Sequence, residues 1–175
     1  MVNYLDYAAT TPVHPEVLEV ITKEMASFGN PSSVYRIGRE QKQKIERVRK
    51  AILKELQASP HDAIIFTSSG SEGNNLVFES IREHFAKEKG HIIVSAVEHP
   101  SVRKSAEFLA QEGFEVTYLA PNREGSVEVS AVEKALREDT RLVSIMTVNN
   151  ETGARFPIEE IAALLKEMPS YFHTD

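Results

Sequence analysis

From residue 63 onward, the sequence alternates short apolar runs with amphipathic stretches, and this pattern restricts the chain to few fold classes. The stretches between the runs carry apolar residues at helical spacing, such as Val102, Ala106 and Leu109. Strands that alternate with helices predict βαβ units with right-handed crossovers. We therefore predict an α/β fold with a mostly parallel sheet, whose strands are the runs 63–66, 91–94, 115–119, 142–148 and 171–172.

The opening third of the chain is expected to be helix and loop. We predict a strand-like start at 2–4, a helix at 15–28, a break at 29–33 and a long amphipathic surface helix at 39–56. Further along, Gly113 is well placed to end the helix that follows the second predicted strand.

Composition narrows the functional classes. The 175 residues carry 20 Lys plus Arg against 26 Asp plus Glu, a net charge of −6. This balance disfavours a nucleic-acid binder, because phosphate affinity depends on clustered positive charge. The sequence has no cysteine, so a disulfide or a cysteine nucleophile cannot form within it. The apolar runs are short and the acidic start lacks the features of a signal peptide, so we expect a cytoplasmic protein without membrane contact. No metal site is predicted.

A serine- and glycine-rich loop, 67–75, follows the first predicted strand and leads into a helix. Ligands of open parallel sheets bind beyond the carboxyl ends of the strands, and a helix N-terminus with unpaired N–H groups binds anions. The loop therefore suits a phosphate. Ser69 and Glu72 also have the spacing of a capping box, and neither interpretation excludes the other. The loop matches neither a P-loop nor a dinucleotide fingerprint.

Polar residues also follow three later strands. His99 is either a loop residue or a ring that stacks on a cofactor or exchanges protons. Asn149 and Asn150 are either turn formers or amide donors to a ligand, and Asp175 is either solvated or a partner for a ring nitrogen. Together, a phosphate cradle, a flat ring, an amide and a carboxylate suit a phosphorylated nitrogen heterocycle such as pyridoxal 5'-phosphate (PLP).

Six motifs occur in order along the whole chain: YLDYAATTP at 4–12, GNPSS at 29–33, FTSSGSE at 66–72, EH at 98–99, VNNETG at 148–153 and HTD at 173–175. In this order they resemble the motifs of cysteine desulfurases. The similarity is greatest to the branch that supplies sulfur for iron–sulfur clusters and tRNA thiolation. It implies a PLP-dependent enzyme of the aspartate-aminotransferase-like fold type I, with a three-layer α/β/α large domain. Such enzymes remove sulfur from L-cysteine, leaving L-alanine and an enzyme persulfide. The implied partners are a sulfur-acceptor or scaffold protein and a second copy in a homodimer.

The resemblance also assigns roles to individual residues and boundaries to domains. Residues 1–14 are expected to pack with a small domain, and 15–175 to form the N-terminal part of the large PLP-binding domain. The implied roles are phosphate binding for Gly70 and Ser71, ring stacking and catalysis for His99, a contact to the cofactor's phenolic oxygen for Asn150, a pyridine-nitrogen contact for Asp175, and proximity to the substrate for Ala8, Ala9, Thr10 and Asn30.

The sequence departs from the family pattern at three positions. Ser69 stands where glycine is usual, Gly73 where a larger small residue is common, and Tyr35 where a histidine is frequent. These changes bear on cofactor affinity more than on family membership.

In the family, the lysine that binds PLP covalently, the sulfur-accepting cysteine and the substrate-binding arginine all follow the aspartate at 175. We therefore expect a fold that is incomplete at its C-terminus, and a 175-residue piece that is inactive by itself. Lys104 is expected to be a surface residue and no substitute for the missing lysine.

Three other interpretations stay open at the level of the sequence. One is a different enzyme of the same fold type, such as a selenocysteine lyase or an aminotransferase-like relative. Another is a truncated, non-catalytic paralogue that serves as a binding or scaffold protein. The third is a generic phosphate- or nucleotide-binding α/β domain.

Overall fold

The computed structural model describes residues 3–59 and 61–175. Contacts divide the chain into two compact units, Met1–Phe66 and Thr67–Asp175. Within the described residues the helices are α1 Pro15–Met25, α2 Arg36–Glu55, α3 Gly70–His84, α4 Pro100–Gln111, α5 Val129–Ala135 and α6 Ile158–Leu165. The strands are β1 His91–Ser95, β2 Glu115–Leu119, β3 Thr140–Ser144 and β4 Tyr171–His173.

The first unit contains α1, α2 and their connecting loops. Pro15 opens α1 at a position where its missing N–H costs no hydrogen bond. Gly38, in the first turns of α2, lies against the preceding loop: a Cβ at this position would lie 2.5 Å from the carbonyl oxygen of Asn30. The loop at 29–33 therefore lies against α2 only because residue 38 has no side chain.

The second unit is built on a four-stranded parallel sheet in the order β2-β1-β3-β4. In register, Ile93 of β1 pairs with Thr117 on one side and with Val143 on the other, and Val143 pairs with Phe172 of β4. All five residues of β1 are buried, as expected for a central strand whose two faces are both covered.

Helices cover both faces of this sheet. Successive strand residues point to opposite faces, and the two core clusters divide accordingly. Ile93 packs with residues of α5 and α6, including Val132 and Ile161, whereas Ile92 and its neighbours pack with residues of α3 and α4. The predicted three-layer α/β/α arrangement is confirmed.

The predicted strand at 63–66 is wrong. The segment has no regular structure, and Ile65 and Phe66 are exposed. A strand needs a neighbour for its ladder hydrogen bonds, and here Arg49 of α2 donates from Nε to the carbonyl oxygen of Ile64 at 3.1 Å. Residues 3 and 4 form no strand either, and Val2 lies outside the described residues.

Other boundaries differ by a few residues or agree. The helix predicted at 15–28 ends at Met25, and the one predicted at 39–56 begins at Arg36. The run at 142–148 is a strand only up to Ser144. The apolar stripe of α4 is fully buried, and Gly113 takes a positive φ of 97° just beyond the helix, as predicted. Within residues 3–59 and 61–175, no helix has the length and apolar character that a membrane span requires.

Truncating a buried leucine should destabilise the second unit far more than truncating an exposed one. Leu142 of β3 is 0% exposed and Leu76 of α3 is 45% exposed. We expect Leu142→Ala to lower the free energy of unfolding by about 2–5 kcal/mol, because it leaves a cavity in the core, and Leu76→Ala to lower it by less than about 1 kcal/mol. Urea denaturation of both variants tests this. Equal losses would contradict the placement of Leu142 in the core.

Candidate functional site

The strand order of the sheet reverses at β1. From β1 the chain crosses to β2 on one side and then returns to β3 on the other side of β1. In open α/β sheets, ligands bind beyond the carboxyl ends of the strands where the order reverses in this way. The carboxyl ends of β1, β3 and β4 are neighbours, and they lead directly to His99, Asn150 and Asp175. The structure thus brings these three predicted site residues to the same edge.

His99 is the N-cap of α4, and Pro100 occupies the first helical position. Its Nδ1 atom accepts a hydrogen bond from the backbone N–H of Ser101 at 3.2 Å, and the Oγ atom of Ser101 lies 2.7 Å from the same nitrogen. The ring is half-buried. The local hydrogen bonds therefore engage one ring nitrogen and leave the Nε2 side for other contacts.

The two adjacent asparagines have different environments. Asn149 is buried and donates from Nδ2 to the carbonyl oxygen of Val97 at 3.0 Å. Its Oδ1 atom accepts from the backbone N–H groups of Glu151 and Thr152. Asn150 is exposed and donates to the carboxylate of Glu151. Asn149 thus shapes the turn, and Asn150 is the amide that a ligand can reach.

Asp175 follows β4 on the same edge. Its backbone carbonyl oxygen accepts from the N–H of Thr147 at 3.0 Å, which continues the pairing with the β3 chain past the end of the strand. Its side chain is exposed. The residue is thus fixed by its backbone, while its carboxylate is accessible.

The serine and glycine loop forms the predicted cap. Ser69 accepts from the backbone N–H of Glu72 at 3.2 Å. The Glu72 carboxylate accepts in return from the N–H and the hydroxyl of Ser68, and these bonds lower the pKa of Glu72. The N–H groups of Gly70 and Ser71 lie in the first turn, where no intrahelical acceptor exists.

The first turns of α3 and α4 are linked. Asn74 is buried and donates from Nδ2 to the Oγ atom of Ser101 at 3.0 Å. This bond brings the loop that holds Gly70 and Ser71 beside the corner that holds His99. Four strand or helix ends therefore contribute to one edge of the second unit.

The remaining predicted site residues belong to the first unit. Ala8, Ala9 and Thr10 lie in and after an exposed turn, in which Ala9 donates to the carbonyl oxygen of Asp6. Asn30 is exposed and its Oδ1 atom accepts from the N–H of Ser32. Their proximity to a substrate stays a prediction.

Glu98 is a residue of the site that sequence reasoning did not single out for a role. It is buried, and its Oε1 atom accepts from the Ser95 hydroxyl at 2.5 Å and from the Met146 N–H at 2.9 Å. Its Oε2 atom is buried without a hydrogen-bond partner among the described residues. Burial raises the pKa of Glu98, the two hydrogen bonds oppose this, and the charge of Asp175 adds to the rise. Its position next to His99 could have drawn attention to Glu98 in the sequence. Glutamate is rarely buried, however, so a place in the core was not expected.

The burial of Glu98 predicts how stability depends on pH. Its pKa is raised above the ordinary value of 4.5, so its contribution to stability is present below that value and is lost as the pH rises through the raised pKa. Glu98→Gln keeps an oxygen acceptor for both hydrogen bonds and does not titrate. We expect the wild type to lose stability relative to Glu98→Gln as the pH rises from 4.5, in urea denaturation at a series of pH values. A difference that stays constant with pH would contradict a raised pKa.

Comparison with known proteins agrees with this geometry. The aminotransferase class-V family model matches residues 3–175. The chain is 47% identical over 173 residues to a cysteine desulfurase IscS of Dictyoglomus turgidum, which covers 98% of this chain and 44% of that protein. It is 41% identical over 174 residues to the mitochondrial cysteine desulfurase of Saccharomyces cerevisiae, covering 98% of this chain and 35% of that protein.

A solved structure described as SspA in complex with cysteine shares the fold. Its TM-score is 0.94 at 40% identity, over 99% of this chain and 50% of that chain. This chain therefore spans less than half the length of the two curated relatives. The resemblance to the N-terminal part of cysteine desulfurases that the six motifs predicted is confirmed, and the chain belongs to the aminotransferase class-V family.

Proposed function

We propose that this chain is the N-terminal part of a PLP-dependent cysteine desulfurase. When complete, the enzyme would remove sulfur from L-cysteine and leave L-alanine and an enzyme persulfide, for iron–sulfur cluster assembly or tRNA thiolation. One observation carries the proposal: His99, Asn150 and Asp175 follow three neighbouring parallel strands and lie at the edge where the strand order reverses. The relatives described as cysteine desulfurases, and the SspA structure that contains cysteine, support the substrate class.

The residues at this edge fit the chemistry of PLP. A phosphate needs N–H donors at a positive helix end, and Gly70 and Ser71 supply them at the start of α3. There is room at this point, because a Cβ on Gly70 would meet no atom within 4 Å. The Glu72 carboxylate is held by Ser68, through hydrogen bonds to its N–H and hydroxyl.

The other residues suit the ring. The exposed carboxylate of Asp175 would hold a proton on the pyridine nitrogen, because a negative charge beside a base favours its protonated form. The amide of Asn150 would donate to the phenolic oxygen, and the flat ring of His99 would stack on the cofactor. When bound, PLP supplies an electron-poor ring that withdraws electron density from the carbon beside the substrate amine.

Further parts of the reaction belong to residues outside this sequence. In our proposal, the lysine that binds PLP, the cysteine that accepts sulfur and the arginine that binds the substrate carboxylate follow Asp175 in the complete protein. The 175 residues alone would then be inactive. We also propose a homodimer, transfer of sulfur to an acceptor or scaffold protein, and a cytoplasmic location. The mitochondrial relative makes a mitochondrial location the alternative.

Loading with PLP tests the assignment. A complete protein can be obtained from the reading frame that continues these residues, or as a chimera with the C-terminal part of the Dictyoglomus turgidum relative. We expect PLP to produce the absorbance band of a covalently bound cofactor, and L-cysteine to yield alanine and sulfide under reductant. The 175-residue chain should show no such band, since Lys104 is exposed on α4. A natural stop codon after Asp175, or a complete protein without band and alanine, would favour the scaffold interpretation.

Asp175 offers a sharper test within the complete protein. Asp175→Asn keeps the shape of the side chain but removes its charge. We expect kcat/KM for L-cysteine to fall about 10- to 100-fold, since a hydrogen bond to a charged group contributes about 1.5–3 kcal/mol. Asp139→Asn is the matched control: Asp139 precedes β3 at the opposite edge and forms an ion pair with Arg137 on the surface. Equal activity of the two variants would remove Asp175 from the site.

A further inference from the structure

Three side chains form a continuous hydrogen-bond chain that ends on His99. Asn74 of α3 is 5% exposed, and its Nδ2 atom lies 3.0 Å from the Oγ atom of Ser101. The same Oγ atom lies 2.7 Å from His99 Nδ1. The backbone N–H of Ser101 also points to this nitrogen, at 3.2 Å. The chain links two helices and the residue that caps the second one.

The direction of these bonds follows from which groups carry hydrogen. An amide NH₂ is only a donor, so Ser101 Oγ accepts from Asn74. A hydroxyl has one hydrogen, and this hydrogen is then available for His99 Nδ1. The backbone N–H of Ser101 is likewise only a donor. Nδ1 therefore receives two donors, and a nitrogen that accepts in this way carries no proton of its own.

We propose that Asn74 and Ser101 are positioning residues that hold the ring of His99 in the tautomer that carries its proton on Nε2. A proton on Nδ1 would face the backbone N–H of Ser101, so this hydrogen bond would be lost, and the Ser101 hydroxyl would have to turn and accept instead of donate. The neutral ring with a protonated Nε2 is the form in which every member of the chain has a partner. A fully satisfied polar network of this kind holds its side chains in one arrangement.

The consequence for the active site rests on the proposed function. Asp175 would keep a positive charge on the pyridine ring, and an imidazolium stacked on that ring would be repelled by it. A neutral His99 avoids this repulsion. Its Nε2–H is the polar group that the ring still has available for a bound molecule. Asn74 and Ser101 would thus act on the cofactor through His99 without touching it.

Nuclear magnetic resonance of the ring nitrogens tests the proposal without any cofactor. In the ¹⁵N-labelled 175-residue chain, we expect His99 Nδ1 to show the chemical shift of an unprotonated nitrogen and Nε2 that of a protonated one. Asn74→Asp should shift the ring toward protonation at Nδ1, although the backbone N–H of Ser101 still opposes it. A carboxylate accepts from the Ser101 hydroxyl, which then offers a lone pair to His99 and favours a proton on Nδ1. A wild-type ring with a protonated Nδ1 would overturn the proposal.

The adjacent asparagine provides a matched control. Asn75 is exposed, and its Oδ1 atom accepts from the Ser105 hydroxyl at 2.7 Å. Asn75→Asp introduces the same charge in the same turn of α3 and keeps that acceptor. It should leave the tautomer of His99 unchanged. If Asn75→Asp and Asn74→Asp shift the ring equally, a general charge effect replaces the proposed chain.

Two substitutions of Ser101 keep the proposal testable if Asn74→Asp fails to fold. Ser101→Ala removes the hydroxyl and leaves the backbone N–H, and we expect a mixture of the two tautomers. Ser101→Thr restores the hydroxyl and the single tautomer. In the complete protein, Ser101→Ala should lower kcat about tenfold, the equivalent of about 1.4 kcal/mol or one hydrogen bond, and Ser101→Thr should recover it. A single unchanged tautomer in Ser101→Ala would contradict the proposal.

The two proposals fail in different ways. A complete protein that produces no alanine from L-cysteine contradicts the proposed function, while the tautomer measured by magnetic resonance still decides the role of Asn74 and Ser101. A complete protein that is active, with a His99 ring that does not respond to Asn74→Asp, contradicts only the positioning role.

Discussion

The junction between β1 and β3 is the constraint on which the rest of the site depends. Glu98 accepts from the backbone N–H of Met146, and Asn149 donates to the carbonyl oxygen of Val97. These two bonds join segments 48 and 52 residues apart. In each bond, the side chain belongs to the residue just before a site residue: Glu98 precedes His99, and Asn149 precedes Asn150. The separation of the two strand ends therefore determines the separation of the ring and the amide.

This junction is polar within an apolar core, and buried polar groups stabilise a structure only when they are hydrogen-bonded. The amide of Asn149 satisfies this condition with several partners. Glu98 satisfies it with one oxygen only, since Oε2 has no partner among the described residues. Its raised pKa follows from burial first, and the nearby charge of Asp175 adds to the rise. A buried oxygen without a hydrogen bond is a feature expected where a structure serves chemistry as well as stability.

Much of the fold was predictable because its signals are local. The apolar stripe of α4 and the run of β1 show the periods of a helix and a buried strand, and both elements formed where the pattern placed them. The run at 63–66 has the same composition as a strand but pairs with no strand among the described residues, and a side chain, Arg49, binds its backbone instead. The short helix α5 lies in one of the predicted helical stretches, but no apolar stripe could be named for it, since seven residues carry little periodicity. Whether a strand finds a neighbouring strand, and whether a short helix forms, depends on residues far away in the sequence.

The sequence by itself determined the α/β class, the order of the motifs and the polar residues after each strand, because periodicity and motif spacing are properties of neighbouring residues. Only the tertiary structure decided which of two adjacent asparagines is buried, and that a glutamate beside His99 lies in the core. It also decided the direction of the hydrogen bonds that run from Asn74 through Ser101 to His99. The physical reason is that burial and hydrogen-bond direction are set by groups that folding brings together from distant positions.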